Sequence, residues 1–370
     1  MTPPDRLIWV EPDLPGPSGG SLYNARVIAG LDRLGLPTEV LRIPGAWPSP
    51  DEDSRAALRT TLAARRTQHP AAAVVVDGLI GSAAPELFSP DPNGQARPVA
   101  DMLLIHLPLE AEHERPGTEP AQVPGPAPSD QSSAEQRAVT SAARVVTTSQ
   151  WAAEDLHRRH GRDDVDVVVP GVDRPDAGRM AATQAVERRA GPWRLTVAAS
   201  LTPRKNHLLL AEALAALLDQ PWVLQVAGPG GETDHGSHVL TVLRRRLPGR
   251  VIHHGPLTPA QMKALWEDTD LVLLPSWAET YGMVVVEACA HGVPGIVSAG
   301  TGAVEALGAA GDVADPGRPE QWALRLRRWM EDPSLRGRWA EAARTRADSL
   351  PTWEKTANHW RRLIGSLPNG

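Results

Sequence analysis

Cysteine is all but missing from this sequence: Cys289 stands alone, which excludes an internal disulfide framework and fits a reducing compartment. Long hydrophobic runs are missing too. No apolar stretch approaches the roughly 20 residues needed to span a bilayer. The first residues show no basic segment leading into an apolar one; they run straight into Arg6-Leu-Ile-Trp-Val10. The expectation is a soluble, cytoplasmic protein with no transmembrane segment. Excess positive charge is also lacking: the net charge is -6 and the pI about 6.1, so no global field draws the chain to nucleic acid. Lysine occurs only at 205, 263 and 355 against 35 arginines, and phenylalanine once against twelve tryptophans. Both skews reflect coding bias and carry no functional meaning in themselves. A lysine inside a loop motif of such a chain nevertheless stands out, because it offers a compact point charge where arginine is the habit.

What is present is an ordinary globular balance, 41% hydrophobic and 22% charged over 370 residues, a length that suggests two domains. Runs rich in Val, Ile and Leu predict strands near Arg6–Val10, Thr38–Ile43, Ala73–Asp77, Met102–His106, Val145–Ser149 and Val165–Val169. A second series falls near Leu195–Ala199, Trp222–Ala227, Val251–His254, Leu271–Pro275, Gly295–Ser298 and Asp312–Ala314. The runs are continuous rather than alternating, as parallel strands buried on both faces require. Amphipathic helices lie between them. Val27, Leu31 and Leu34 share one helix face and Gly35 follows as a stop, while Leu210, Leu214, Leu217 and Leu218 repeat the pattern later. Strand–helix alternation throughout predicts an α/β fold of two Rossmann-like, doubly wound domains facing each other across a cleft. The break falls in the polar, Ala/Arg-rich stretch 172–192, giving domains 1–172 and 173–349 with a terminal helix in 350–370. Residues Glu110–Arg137, rich in Pro, Gly, Ser, Gln and Glu with little to bury, read as one long mobile loop. It is either a tolerated insertion or a lid or acceptor loop following a strand end.

Four segments carry chemistry. In Leu271–Gly292 a buried strand runs out at Pro275-Ser276, a loop passes through Glu279, Thr280 and Tyr281, Gly282 lets the backbone approach a ligand, and a helix begins near Met283. The helix N-terminus makes an anion site. Glu287, set in a very apolar helix, needs a partner, and two hydroxyls of a ribose would serve. Glu279 faces the same anion site from the loop. Two glutamates eight apart are common and alone mean little; the strand–loop–glycine–helix context gives them weight. In Ala198–His207, the first strand-to-helix turn of the second half, a Gly-x-Gly-x-x-Gly fingerprint is lacking, which argues against ordinary NAD binding. Arg204 and Lys205 supply cations there instead, placed against the helix dipole in a way that itself points to a bound anion. In the first half the loop Pro17–Ser21, with Gly19 and Gly20, precedes a helix over 22–34; it is either a backbone approach to phosphate or acceptor, or a simple flexible turn. His106 ends a strand; a lone histidine is more often structural, but its strand-end position favours function.

Taken together these segments resemble the retaining family 4 type of GT-B glycosyltransferases, the glycosyl transferases group 1. The resemblance extends over most of the chain. It rests on Gly19-Gly20, His106, Thr148-Ser149, Val169–Asp173, Pro203-Arg204-Lys205-Asn206, the pair Glu279 and Glu287, and the helix opening at Thr352-Trp353-Glu354. It implies a metal-independent transfer of a hexose-type sugar from a UDP- or GDP-sugar to an unidentified acceptor, with the donor as co-substrate and no other cofactor. It implies that Arg204 and Lys205 bind the donor diphosphate and that backbone around Tyr281, Gly282 and Met283 contacts diphosphate and sugar. Glu279 would bind the transferred hexose, Glu287 the ribose, and His106 the sugar near its reactive carbon. In this family the leaving phosphate is thought to assist deprotonation of the acceptor, so no protein nucleophile is needed. Asp268-Thr-Asp270 accordingly receives no catalytic role and reads as helix end and strand start. One departure stands out: family members commonly have Gly-Arg where this chain has Ala199-Ser200, which shifts weight onto Lys205 and Arg204. That departure keeps a non-catalytic nucleotide-sugar binder or partner subunit as the alternative, with another sugar-nucleotide enzyme such as an epimerase behind it.

Overall fold

A computed structural model describes residues 4–14, 16, 18–90, 97–112, 128–174 and 191–367. These divide into two compact units, one formed by the chain up to Gly171 together with Pro351 onward, the other by Val172–Leu350. Residues 175–190, in the stretch where the break between domains was expected, lie outside the described residues.

The first unit holds six parallel strands: β1 (Leu7–Pro12), β2 (Thr38–Ile43), β3 (Ala73–Asp77), β4 (Met102–Ile105), β5 (Arg144–Thr147) and β6 (Val165–Val167), in the order β2-β1-β3-β4-β5-β6. The second holds β7 (Trp193–Ala198), β8 (Trp222–Ala227), β9 (Val251–Gly255), β10 (Leu271–Leu274), β11 (Gly295–Ser298) and β12 (Gly311–Ala314), in the order β12-β11-β10-β7-β8-β9. Counted within its unit, the second sheet has the 3-2-1-4-5-6 order of a dinucleotide-type doubly wound fold, and the first contains the 2-1-3-4-5 order of the flavodoxin type. All twelve expected strands are present. Burial on both faces, however, belongs to the inner strands: β2, β6 and β9 at sheet edges are only partly covered, since an edge strand lacks a neighbour on one side.

The first helix runs over Gly19–Arg33 rather than 22–34, so Gly19 and Gly20 are its first two residues and not a loop before it. Ser18 explains the earlier start. Its hydroxyl accepts from the Ser21 backbone N–H while the Ser21 hydroxyl accepts from the Ser18 N–H, a reciprocal cap that fixes the first turn. Gly35, at φ +80, ends the helix as expected. The helix at His207–Ala215 stops before Leu217 and Leu218; Leu217 is buried beyond the helix and Leu218 is exposed.

The reading of Glu110–Arg137 as one loop is corrected at its ends: Glu110–Glu112 form a 3-10 turn and Pro128–Ser141 an α-helix. Residues 113–127 lie outside the described residues. The helix is held by what the composition hid. Glu135 is fully buried, accepting the Leu109 N–H at 2.9 Å through one carboxylate oxygen and facing His160 Nε2 at 2.9 Å through the other, and Ala138 and Val139 pack beside it in the core. A carboxylate with both oxygens engaged can be buried where a lone one cannot.

The terminal helix Trp353–Gly365 belongs to the first unit, where it packs on the Gly19–Arg33 helix. Trp360 is completely buried edge-on to Trp9 at 5.2 Å, and its indole N–H donates to the Tyr23 hydroxyl at 2.8 Å. Two glycines make the close approach possible: a Cβ on Gly30 would lie 2.5 Å from Ala357 Cβ, and one on Gly171 2.4 Å from the Trp353 nitrogen.

Candidate functional site

In open parallel sheets, loops diverge to opposite faces where the strand order reverses, leaving a crevice at the C-terminal strand ends. In the second unit that point lies between β7 and β10. The loop leaving β7 carries Arg204 and Lys205 in a 3-10 turn, Pro203–Lys205; the loop leaving β10 carries Ser276 to Gly282. The two loops are sewn together. Trp277 N–H donates to Arg204 O at 2.8 Å, Arg204 Nη1 to Ala278 O at 2.9 Å, and Asn206 Nδ2 to Pro275 O at 3.1 Å and Pro316 O at 2.8 Å. Asn206 holds a left-handed backbone, φ +53, which asparagine tolerates better than most residues.

At the centre Lys205 Nζ donates to Glu279 Oε2 at 2.5 Å, and the Ser276 hydroxyl donates to the same oxygen at 3.4 Å. Both charged side chains are largely buried, each 14% exposed. Burial pushes the Glu279 carboxyl up, but the charges of Lys205 and Arg204 and hydrogen bonds from Lys205 and Ser276 outweigh it, so the group lies below its ordinary value. The Glu279 carbonyl accepts the Gly302 N–H at 2.7 Å; a Cβ on Gly302 would sit 1.7 Å from Thr280 O, so no other residue fits there.

The loop then turns through Gly282, φ +87, into the helix Met283–Ala290, which has no side-chain N-cap. Of its first-turn N–H groups, that of Val285 donates to Gly282 O at 2.9 Å, those of Met283 and Val284 have no side-chain cap, and the helix dipole favours an anion in front of them. Tyr281 is buried beside this turn, its phenol pushed up to about 12 by burial. Glu287 is half-buried one turn into the helix. Thus Arg204, Lys205, Glu279, Tyr281, Gly282, Met283 and Glu287, expected from two distant stretches of sequence, lie on two adjoining loops and the helix that follows. Asp268 ends the helix Pro259–Glu267 and binds Arg194 Nη1 at 2.7 Å, while Asp270 accepts the Arg194 N–H at 2.8 Å, a structural setting for the Asp-x-Asp segment.

The first unit has its own polar cluster, also at a switch point, between β1 and β3. Glu11 lies at the end of β1, Asp77 ends β3, and His106 follows β4. Asn24, 1% exposed, joins all three: its amide nitrogen lies 3.2 Å from Glu11 Oε2 and 3.1 Å from Asp77 Oδ2, and its oxygen 2.8 Å from His106 Nε2. Burial pushes the His106 imidazole below its usual value, against the opposing pull of Asp77. Gly20 is tied to His106: a Cβ there would lie 2.9 Å from His106 Cδ2, whereas one on Gly19 would meet nothing. Sequence reasoning missed Glu11, Asn24 and Asp77; the signal available was a pair of acidic residues closing two apolar strands.

Residues 181–346 match the family model described as Glycosyl transferases group 1. Among characterised sequences, the chain is similar to the D-inositol 3-phosphate glycosyltransferase of Salinispora arenicola, 32% identical over 253 residues covering 62% of this chain and 56% of that protein. It is likewise similar to the enzyme of that name from Rhodococcus opacus, 30% identical over 63% of this chain and 55% of that protein. The chain thus spans little more than half the length of these relatives. Among solved structures, sucrose-phosphate synthase from Thermosynechococcus elongatus superposes with a TM-score of 0.79 at 16% identity, covering 97% of this chain and 98% of that one. HepE of Anabaena, solved with UDP and glucose, gives 0.71 at 20% identity over 98% and 99%. Both likenesses speak for the fold.

Proposed function

We propose that this chain, residues 181–346 of which match the glycosyl transferases group 1 model and which has a GT-B fold, is a glycosyltransferase that moves a hexose-type sugar from a nucleotide-diphosphate donor to an acceptor hydroxyl. The observation that carries this reading is the Lys205–Glu279 pair set before the uncapped N-terminus of Met283–Ala290. Cleaving the bond from the sugar's anomeric carbon to the diphosphate oxygen leaves negative charge on the leaving group. Lys205, Arg204 and the first-turn N–H groups stabilise that charge from fixed positions, which is where electrostatic catalysis gains most. Glu279 accepts hydroxyls of the transferred sugar, and its negative charge offsets the positive character that develops at the sugar ring. Glu287 takes the ribose hydroxyls, and His106 contacts the sugar.

With these cations serving the leaving group, the reaction needs no bound metal. The acceptor hydroxyl attacks from the face that the leaving phosphate vacates, and that phosphate takes its proton, so the anomeric configuration is retained. A UDP- or GDP-sugar is the proposed donor; HepE, whose structures hold UDP and UDP-glucose, supports UDP as the first to try.

The test is nucleotide release from a panel of donor sugars with hydroxyl acceptors, comparing the unaltered protein with Lys205→Ala and Glu279→Gln. The reading expects transfer product of retained configuration and a fall in turnover on the order of 10²-fold in each variant. Full turnover in both would remove the assigned site. Donor binding by calorimetry with neither hydrolysis nor transfer would favour the non-catalytic binder that Ser200 keeps open.

A further inference from the structure

The cluster around His106 fixes more than the position of a ring. The Asn24 amide nitrogen has two hydrogens, and two carboxylate oxygens lie within reach of it, Glu11 Oε2 at 3.2 Å and Asp77 Oδ2 at 3.1 Å. Each carboxylate is further engaged as an acceptor, Glu11 Oε1 from Arg42 Nε at 3.2 Å and Asp77 Oδ1 from the Leu79 N–H at 3.0 Å. Turning the amide over would set its oxygen against both carboxylates, an arrangement of acceptors with no hydrogen between them. The amide therefore stands one way, with its oxygen toward His106 Nε2 at 2.8 Å. An amide oxygen only accepts, so His106 Nε2 must carry the hydrogen, and the negative charge of Asp77 Oδ2, 3.5 Å from the same nitrogen, favours it there. The other ring nitrogen, Nδ1, has no hydrogen-bond partner among the described residues and is not sealed from solvent. Tyr23, edge-on at 5.4 Å, and Gly20, beneath Cδ2, close the remaining sides of the ring.

We propose that Asn24 is a positioning residue that locks His106 in its neutral Nε2–H tautomer, so that Nδ1 is presented to the substrate as a hydrogen-bond acceptor. It follows that the group meeting His106 is a donor, a hydroxyl of the sugar or of the acceptor, and not a phosphate oxygen. This step rests on the reading of His106 as a substrate contact. Asn24 acts through the ring and touches no substrate. Asp77 and Glu11 act one step further back, through the amide, by denying it the flipped orientation. The arrangement parallels the carboxylate behind a catalytic histidine, with an amide inserted between acid and ring.

Long-range proton–nitrogen NMR correlation on the full chain reads this without substrate. His106 is assigned by the signals lost in His106→Gln. At neutral pH the expected spectrum has a protonated, pyrrole-type Nε2 and an unprotonated, pyridine-type Nδ1. A doubly protonated ring, or hydrogen on Nδ1, overturns the proposal. In Asn24→Ala, and in Asp77→Asn should the first variant not fold, the two nitrogens are expected to move toward the averaged values of a tautomer mixture. Ring signals that stay put in both folded variants also overturn it. In transfer assays Asn24→Ala is expected to lower kcat on the order of 10²-fold with donor KM unchanged, as for a misplaced reacting contact. Averaged signals with full turnover would instead overturn the role of His106 in transfer while leaving the tautomer assignment standing. The failure of the proposal and that of the functional reading are therefore distinguishable.

Discussion

Glu279 shows how a single carboxylate is held in place. It is largely buried, and only its pairing with Lys205, helped by Arg204 and Ser276, makes the charged form stable there. Lys205→Ala therefore leaves a buried carboxylate without its nearest cation, and a thermal melt should show a loss of about 1–3 kcal/mol beside the loss of turnover. Gly20→Ala acts on the other unit. Its Cβ would sit 2.9 Å from His106 Cδ2, so the ring must shift; turnover should fall on the order of 10²-fold while calorimetric donor binding is kept. His207 predicts a pH dependence. Burial, with the charges of Lys205 and His235, depresses its pKa from 6.5 to about 3, and neither ring nitrogen has a partner among the described residues. Below 6.5 the unfolded chain takes up a proton that the folded chain refuses. Stability from this group is thus complete above 6.5 and falls by about 1.4 kcal/mol per unit as pH drops toward the folded value. Urea midpoints recorded down that acid range should fall more steeply in the unaltered protein than in His207→Leu; parallel slopes would refute the assignment.

At the scale of elements, the helix that closes the chain matters most. Trp353–Gly365 presents Trp353, Trp360, Leu363 and Ile364 to the first unit, and Trp360 reaches through Tyr23 toward His106. Trp360→Ala removes a fully buried indole, its edge contact with Trp9 and its hydrogen bond to Tyr23. Such truncations cost about 3–5 kcal/mol, so the melting temperature should drop by several degrees or more. A shift within error would mean that the terminal helix contributes little to the unit. The Pro128–Ser141 helix teaches the opposite lesson about legibility. Its sequence is polar enough to read as loop, because what anchors it is one buried glutamate paired with a histidine 25 positions on, and no local pattern announces that pairing.

For the whole molecule, a nucleotide that binds only the folded state raises stability by mass action, about 2.7 kcal/mol at a hundred times its dissociation constant. The gain should be local in origin. Hydrogen exchange with UDP present is expected to slow in residues 203–206 and 276–287, and protection confined to other segments would displace the proposed donor site. The sequence by itself determined the twelve strands, the two-unit plan and the loops after β7 and β10, because buried parallel strands must be apolar throughout and glycines must mark sharp turns. It also singled out Lys205 and Glu279 as residues of interest. Only the tertiary structure decided that these two pair with each other, that Gly20 makes room for the His106 ring, and that Asn24 orders three groups from three strand ends. The reason is distance along the chain. Periodicity reports how each residue meets its own element, whereas Lys205 and Glu279 are 74 positions apart and Asn24 and His106 are 82, so only the packing of strands brings them together.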